Sequence, residues 1–125
     1  MLEIMARMKS FFSDLANTKE GKEVIDFYDR TFQFVLTTGE SFIMEKKAGQ
    51  FQFREGTIPN PDLLKEITIV ETDVQTLQDL MDVKLSPSAA KENGKFWTSG
   101  DMAAKPFNFW LLRLFKLGQK MKIDY

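Results

Sequence analysis

The chain contains no cysteine and no histidine. The first absence excludes disulfides, thiol nucleophiles and thiolate metal sites; the second excludes imidazole as a general base or zinc ligand. Catalysis would have to run on Asp, Glu, Lys, Tyr, Ser or Thr. Long apolar runs are missing too, none approaching the roughly 20 residues that span a bilayer. So is strong charge of either sign. A formal net charge of −1 leaves no basic footprint of the kind general nucleic-acid binding needs. The first residues do not form a secretory signal, because Glu3, Arg7 and Lys9 interrupt the apolar positions and no small-residue cleavage site follows. Lys122-Ile123-Asp124-Tyr125 is not a peroxisomal tripeptide. The expectation is a soluble cytoplasmic protein with no metal and no cofactor.

What is present is phenylalanine. Twelve Phe stand against two Trp and two Tyr, and there are seven Met. Phe supplies large apolar area without a polar handle, and Met fills irregular gaps. That mix suits a packed core and an apolar cavity equally well. A length of 125 residues predicts one domain over 1–125, able to bury about two thirds of its unfolded surface.

Periodicity predicts the elements. Ile4, Met8, Phe11, Phe12 and Leu15 place a helical stripe on residues 2–16. Asn17 and Glu20 suggest a capping box for a short second helix with Val24, Ile25 and Phe27 on its apolar side, which Gly21 weakens. From Thr31 the period becomes two. Phe32, Phe34 and Leu36, then Phe42 and Met44, then Phe51 and Phe53 mark three short strands, with turns at Gly39 and Gly49. An irregular connection with Pro59 and Pro61 leads to a fourth strand at Ile67 and Ile69. Thr72 and Gln75 suggest the cap of a helix with Val74, Leu77, Leu80 and Met81 on its apolar face. Ser86-Pro87 starts a short helix that Gly94 closes, and Lys95 to Ser99 forms a fifth strand that Gly100 ends. Phe107, Phe109, Trp110, Leu111, Leu112, Leu114, Phe115 and Leu117 crowd one last helix near Pro106, apolar nearly all round. The architecture expected is α+β: a mainly antiparallel five-stranded sheet with helices covering its aromatic face.

Charge is segregated although its sum is small. Lys105, Arg113, Lys116, Lys120 and Lys122 face one acid, Asp124, in the last segment, whereas residues 55–82 hold seven acids and one base, Lys65. Two solvated faces explain this, and so does a basic, apolar helix that meets anionic membranes or holds an anionic head group. Asp79 and Asp82 share a helix face at i, i+3, which fits a solvated face far better than an acid/base pair. Gly94-Lys95 and Gly100-Asp101 are helix stop and strand ends, not phosphate loops.

One stretch carries more information than the rest: Pro61-Asp62, Ile67-Thr68-Ile69, the helix through Leu77 and Leu80, Leu85-Ser86-Pro87, Ala89-Ala90, Gly94-Lys95 and Gly100-Asp101. With the preceding meander, this order resembles the sterol carrier protein two family over roughly residues 30–117. The departure is Val83, where such proteins tend to carry glycine after the middle helix. The resemblance implies a hydrophobic tunnel between sheet and helices, holding a fatty acyl, sterol or isoprenoid ligand without catalysis. The tunnel lining expected on that basis is Phe32, Phe34, Phe42, Met44, Phe51 and Phe53 from the sheet, and Leu77, Leu80, Met81 and Leu85 from the middle. Met102, Phe109, Trp110, Leu112 and Phe115 complete it from the C-terminal side. The alternative is a solid core, with the last helix pairing with another chain or with a second copy as a homodimer.

Overall fold

The computed structural model describes residues 3–27, 31–47, 50–58, 67–100 and 105–121. Phe alternation from Thr31 produces β1 (Thr31–Leu36), β2 (Ser41–Lys47) and β3 (Gln50–Glu55), an antiparallel meander. Gly39 adopts φ 93° in the β1–β2 turn, a left-handed conformation that a Cβ would oppose. β4 (Ile67–Thr72) returns parallel to β1, and β5 (Phe96–Gly100) pairs antiparallel with β4. The sheet order is β3-β2-β1-β4-β5, antiparallel except between β1 and β4, and with five helices the fold is α+β in class. The helices are α1 (Glu3–Ala16), α2 (Lys19–Phe27), α3 (Val74–Met81), α4 (Pro87–Glu92) and α5 (Lys105–Lys120). The Gly49 turn, Pro59, Pro61-Asp62 and Asp101 lie outside the described residues.

Two helix starts differ from the sequence expectation by one residue. Thr18, not Asn17, caps α2: its hydroxyl accepts from the Gly21 N–H at 3.0 Å. Asp73, not Thr72, caps α3, accepting from the Thr76 N–H at 2.7 Å and from its hydroxyl at 2.8 Å. Thr72 is already engaged, buried as the last residue of β4 with its hydroxyl donating to the Lys95 carbonyl at 2.8 Å. Ser86 caps α4 as expected, accepting from the Ala89 N–H at 3.1 Å, with Pro87 at the first turn.

α3 and α4 end in the same way. In α4 the Gly94 N–H reaches the Lys91 carbonyl and the Lys95 N–H the Ala90 carbonyl, with Gly94 at φ 70°. In α3 the Val83 N–H reaches the Leu80 carbonyl and the Lys84 N–H the Asp79 carbonyl. Both are Schellman caps, which need a left-handed residue just past the helix. At α3 that residue is Val83, at φ 57°. The turn keeps the conformation that glycine would favour and places a β-branched residue in it.

The core lies between the sheet and the helices. Phe32, Phe34, Leu36, Phe42, Met44 and Val70 point into it from the strands, and Met8, Phe11, Phe12 and Leu15 from α1. The opposite sheet face is not simply solvated, as strict alternation predicts. Ile43, Ile58 and Ile67, with Ile69 packed against them, form a second cluster. The Ile67 and Ile69 side chains therefore serve the far face, while Thr68, Val70 and Thr72 serve the near one. Gln33, 3% exposed, ties residues 56–58 onto that far face. Its amide donates to the Phe42 and Gly56 carbonyls, both at 3.1 Å, and accepts from the Ile58 N–H at 2.7 Å.

Candidate functional site

The last helix organises the site. Helical spacing puts Phe107, Trp110, Leu111, Leu114, Phe115 and Gly118 on its buried side. Phe109, Arg113, Lys116 and Lys120 fall on the opposite side at i, i+4, i+7 and i+11, all exposed. α5 is thus two-faced rather than apolar all round. Phe109 is 72% exposed. It does not line the interior, in correction of the sequence expectation, because the stripe that packs on the sheet is turned away from it.

Trp110 lies within the layer between sheet and helices. It is 2% exposed, and its indole N–H donates to the Val24 carbonyl at 2.7 Å. The ring stacks on Phe32, centroids 5.5 Å apart at 8° between planes. Phe34 stacks on Phe42 at 4.7 Å and 6°, and Phe96 on Phe107 at 6.4 Å and 4°. Phe12 meets Phe51 edge-on at 5.3 Å. These rings fill the centre of the layer between sheet and helices, each pair adding about 0.5–1.5 kcal/mol beyond its area burial. Phe32, Phe34, Phe42, Met44, Phe51, Leu77, Leu80, Met81, Trp110 and Phe115 all belong to this one buried cluster; Phe53 and Leu85 pack at its margin. Leu112 is half-buried, and Met102 lies outside the described residues. Among the described residues, the side-chain carbonyl oxygen of Asn108, on a residue 8% exposed, is buried without a hydrogen-bond partner.

Two hollows flank α2. One, of about 100 Å³, lies between α1, α2 and β3; Phe12, Ile25 and Phe51 are its apolar walls and Ser13, Asn17 and Gln50 its rim. The other, about 310 Å³ and open, runs between α2 and α5. Its apolar residues are Val24 and Leu117; its charged ones are Glu20 and Glu23 on one side and Arg113, Lys116 and Lys120 on the other. Of the described residues expected to line a tunnel, Phe51 alone borders one of these hollows. Phe12 and Ile25 stand out in the sequence as apolar helix positions but not as lining, and the rim residues escape sequence reasoning, since small and polar helix residues carry no signal of their own. Gly21 is the one available hint. A Cβ there would collide with the Leu15 carbonyl, so α2 meets the end of α1 at backbone contact.

Asp79 and Asp82 are not a carboxylate pair. Asp79 accepts from Gln75 at 3.0 Å, and Asp82 pairs with Arg7 of α1 at 2.6 Å. Among the described residues, no group of three or more acidic side chains converges as a metal site, and no helix is long and apolar enough to cross a membrane.

No family model matches this sequence, and no curated protein does. Solved structures do. The ubiquinone synthesis protein UbiJ-SCP2 superposes with a TM-score of 0.67 at 16% identity, over 91% of this chain and 90% of its own. The sterol carrier protein domain 2 of Helicoverpa armigera gives 0.66 at 18%, over 94% of this chain and 88% of its own. The stereoselective inverting sec-alkylsulfatase of Pseudomonas sp. gives 0.58 at 20%, over 77% of this chain. This chain spans 14% of that enzyme's length. The fold is that of the sterol carrier protein two domain. The likeness seen in the strand–helix–cap–strand order from Pro61 is therefore a likeness of three-dimensional structure across most of the chain.

Proposed function

We propose that the protein is a non-catalytic lipid carrier that takes a fatty acyl, sterol or isoprenoid chain between its sheet and helices. The observation that carries this reading is the hollow beside Phe12, Ile25 and Phe51, where the aromatic layer reaches the surface. At about 100 Å³ it is smaller than the roughly 300–1,000 Å³ of ligand pockets, so loading requires the layer to widen. α2 is the element to move. It meets α1 at backbone contact through Gly21, and among the described residues its ties to the rest of the chain include Trp110 to Val24, Lys46 to Asp26 at 2.7 Å and, from the capping residue, Thr18 to the Met121 sulfur at 3.6 Å. A C16 chain contributes roughly 10 kcal/mol before ordering costs, at about 0.8 kcal/mol per buried CH₂. Against that, each displaced ring contact costs about 0.5–1.5 kcal/mol. Phe32, Phe34, Phe42, Met44, Phe51, Leu80, Trp110 and Phe115 are the lining of the widened state.

The exposed stripe of Phe109, Arg113, Lys116 and Lys120 is the surface that meets an anionic membrane during transfer. An aromatic ring enters the interface while each cation near the surface adds about 1 kcal/mol. The side chain of Lys105 and all of Lys122, expected to join them, lie outside the described residues.

The test uses Trp97→Phe. Trp97 is 47% exposed, and its removal leaves Trp110 as the reporter. Native mass spectrometry of freshly purified protein should find bound lipid, or a titrated fatty acid should shift Trp110 emission to saturation. Neither signal with any of the three lipid classes would sink the carrier reading. The exposure of Phe109 favours a second reading, in which the core stays closed and α5 pairs with a second copy. A stable dimer that Phe109→Asp dissociates, with no lipid uptake, would establish it.

A further inference from the structure

The groove between α2 and α5 has a charge pattern that packing does not explain. The two helices run antiparallel, joined near one end by the Trp110 to Val24 hydrogen bond and touching near the other where Thr18 meets the Met121 sulfur. Between these contacts, Glu20 and Glu23 line one bank and Arg113, Lys116 and Lys120 the other, over an apolar floor of Val24 and Leu117. Val24 is 5% exposed, so the floor belongs to the core. Acidic and basic side chains thus line one groove from opposite helices. Here, among the described residues, none of the five forms an ion pair within 4.0 Å or a side-chain hydrogen bond. The open space between the two banks is about 310 Å³.

Helix dipoles account for part of the pattern. Glu20 sits in the first turn of α2 and Lys120 in the last turn of α5, where those signs are favoured. They do not account for Glu23 or Arg113, which lie away from the favoured turns and face the same groove. An anion alone would be drawn to the α5 bank and repelled by the α2 bank. A cation alone would meet the reverse. A ligand with both charges, separated by a few bonds, satisfies both.

We infer that this groove binds a zwitterionic phosphodiester head group, with its phosphate on Arg113, Lys116 and Lys120 and its ammonium on Glu20 and Glu23. The volume lies at the lower end of ligand pockets, sufficient for a head group and not for a C16 chain beside it. The apolar floor of Val24 and Leu117 lies beneath the head group. The inference depends on the carrier reading for the tail and on the groove alone for the head.

The experiment is an amide NMR titration of the full chain at low ionic strength with glycerophosphocholine, glycerol 3-phosphate and choline chloride. Glycerophosphocholine should shift amides on both banks, residues 20–24 and 113–120, and bind at least threefold more tightly than either fragment. Glu20→Gln with Glu23→Gln should weaken glycerophosphocholine about three- to tenfold, as expected for exposed charge pairs. The same change should leave glycerol 3-phosphate unchanged or tighter, because it removes repulsion. Arg113→Gln with Lys116→Gln should weaken both phosphate compounds. The inference fails if the acid-neutralised variant binds glycerophosphocholine more tightly, which marks a plain anion surface. It also fails if no titrant moves the groove amides. Fatty acid uptake, followed in parallel through Trp110, answers the carrier question separately: uptake with an indifferent groove removes the head-group site and keeps the carrier.

Discussion

The Trp110 indole donates to the Val24 carbonyl at 2.7 Å, across 86 positions of sequence. Val24 is in the last turn of α2, whose carbonyls have no partner within the helix. The bond therefore satisfies a helix-end acceptor and fixes α2 on α5 at once. Trp110→Phe keeps a ring against Phe32 but leaves that carbonyl buried and unpartnered. The expected loss is about 1–3 kcal/mol, read from urea unfolding. A loss below about 0.5 kcal/mol would mean that water replaces the indole and that the two helices are not tied there.

Val83 holds a left-handed position at φ 57°. Such a position costs a residue with a Cβ about 1–2 kcal/mol. Val83 also packs its half-buried side chain on the core, which offsets part of the strain. Val83→Gly removes both and should melt at or above the parent temperature. Val83→Ala retains the strain without the packing and should fall below the glycine variant by about 1 kcal/mol. An alanine variant as stable as glycine would show that the turn relaxes.

Two glycines inside helices should resist alanine in different degrees. Alanine normally gains about 1 kcal/mol over glycine in a helix. At Gly118 the new methyl would press on the Phe11 ring, which can shift, so a net loss of about 1–2 kcal/mol is expected. At Gly21 it would press on the Leu15 main-chain carbonyl, which cannot yield without moving α2 from α1. Gly21→Ala should be the more damaging, and thermal melts of the pair would decide the order.

Gln33→Leu removes the amide that holds Gly56 and Ile58 onto the far sheet face and leaves the Ile58 N–H without its acceptor. About 2–3 kcal/mol of destabilisation follows from the orphaned donor. Hydrogen exchange at Ile58 should accelerate far more than exchange in the β1–β4 pair. Equal acceleration in both would assign Gln33 to the sheet as a whole rather than to residues 56–58.

Local chemistry made much of the fold legible. The alternation of Phe32, Phe34 and Leu36 needs only a two-residue period, and Ser86-Pro87 with Gly94 marks α4 from both ends. The helix starts at Thr18 and Asp73 were each displaced by one residue from the expected caps, because several adjacent residues could cap and their other contacts chose among them. Gln33 gave no hint of burial, since its partners at 56–58 lie more than twenty residues away. Phe109 and Trp110 are adjacent and similar in sequence, yet one is 72% exposed and the other 2%. A crowded apolar helix does not announce which stripe will face the sheet.

The sequence by itself determined the element order, the class of fold and the absence of thiol and imidazole chemistry, because each follows from residue types at short spacing. Only the tertiary structure decided what the Phe-rich face does in this state. Phe32, Phe42, Phe51 and Trp110 could wall a tunnel or fill one. The difference is a few ångströms of separation between α5 and the sheet, set by contacts such as Trp110 to Val24 that span most of the chain. No pattern along the chain encodes that distance.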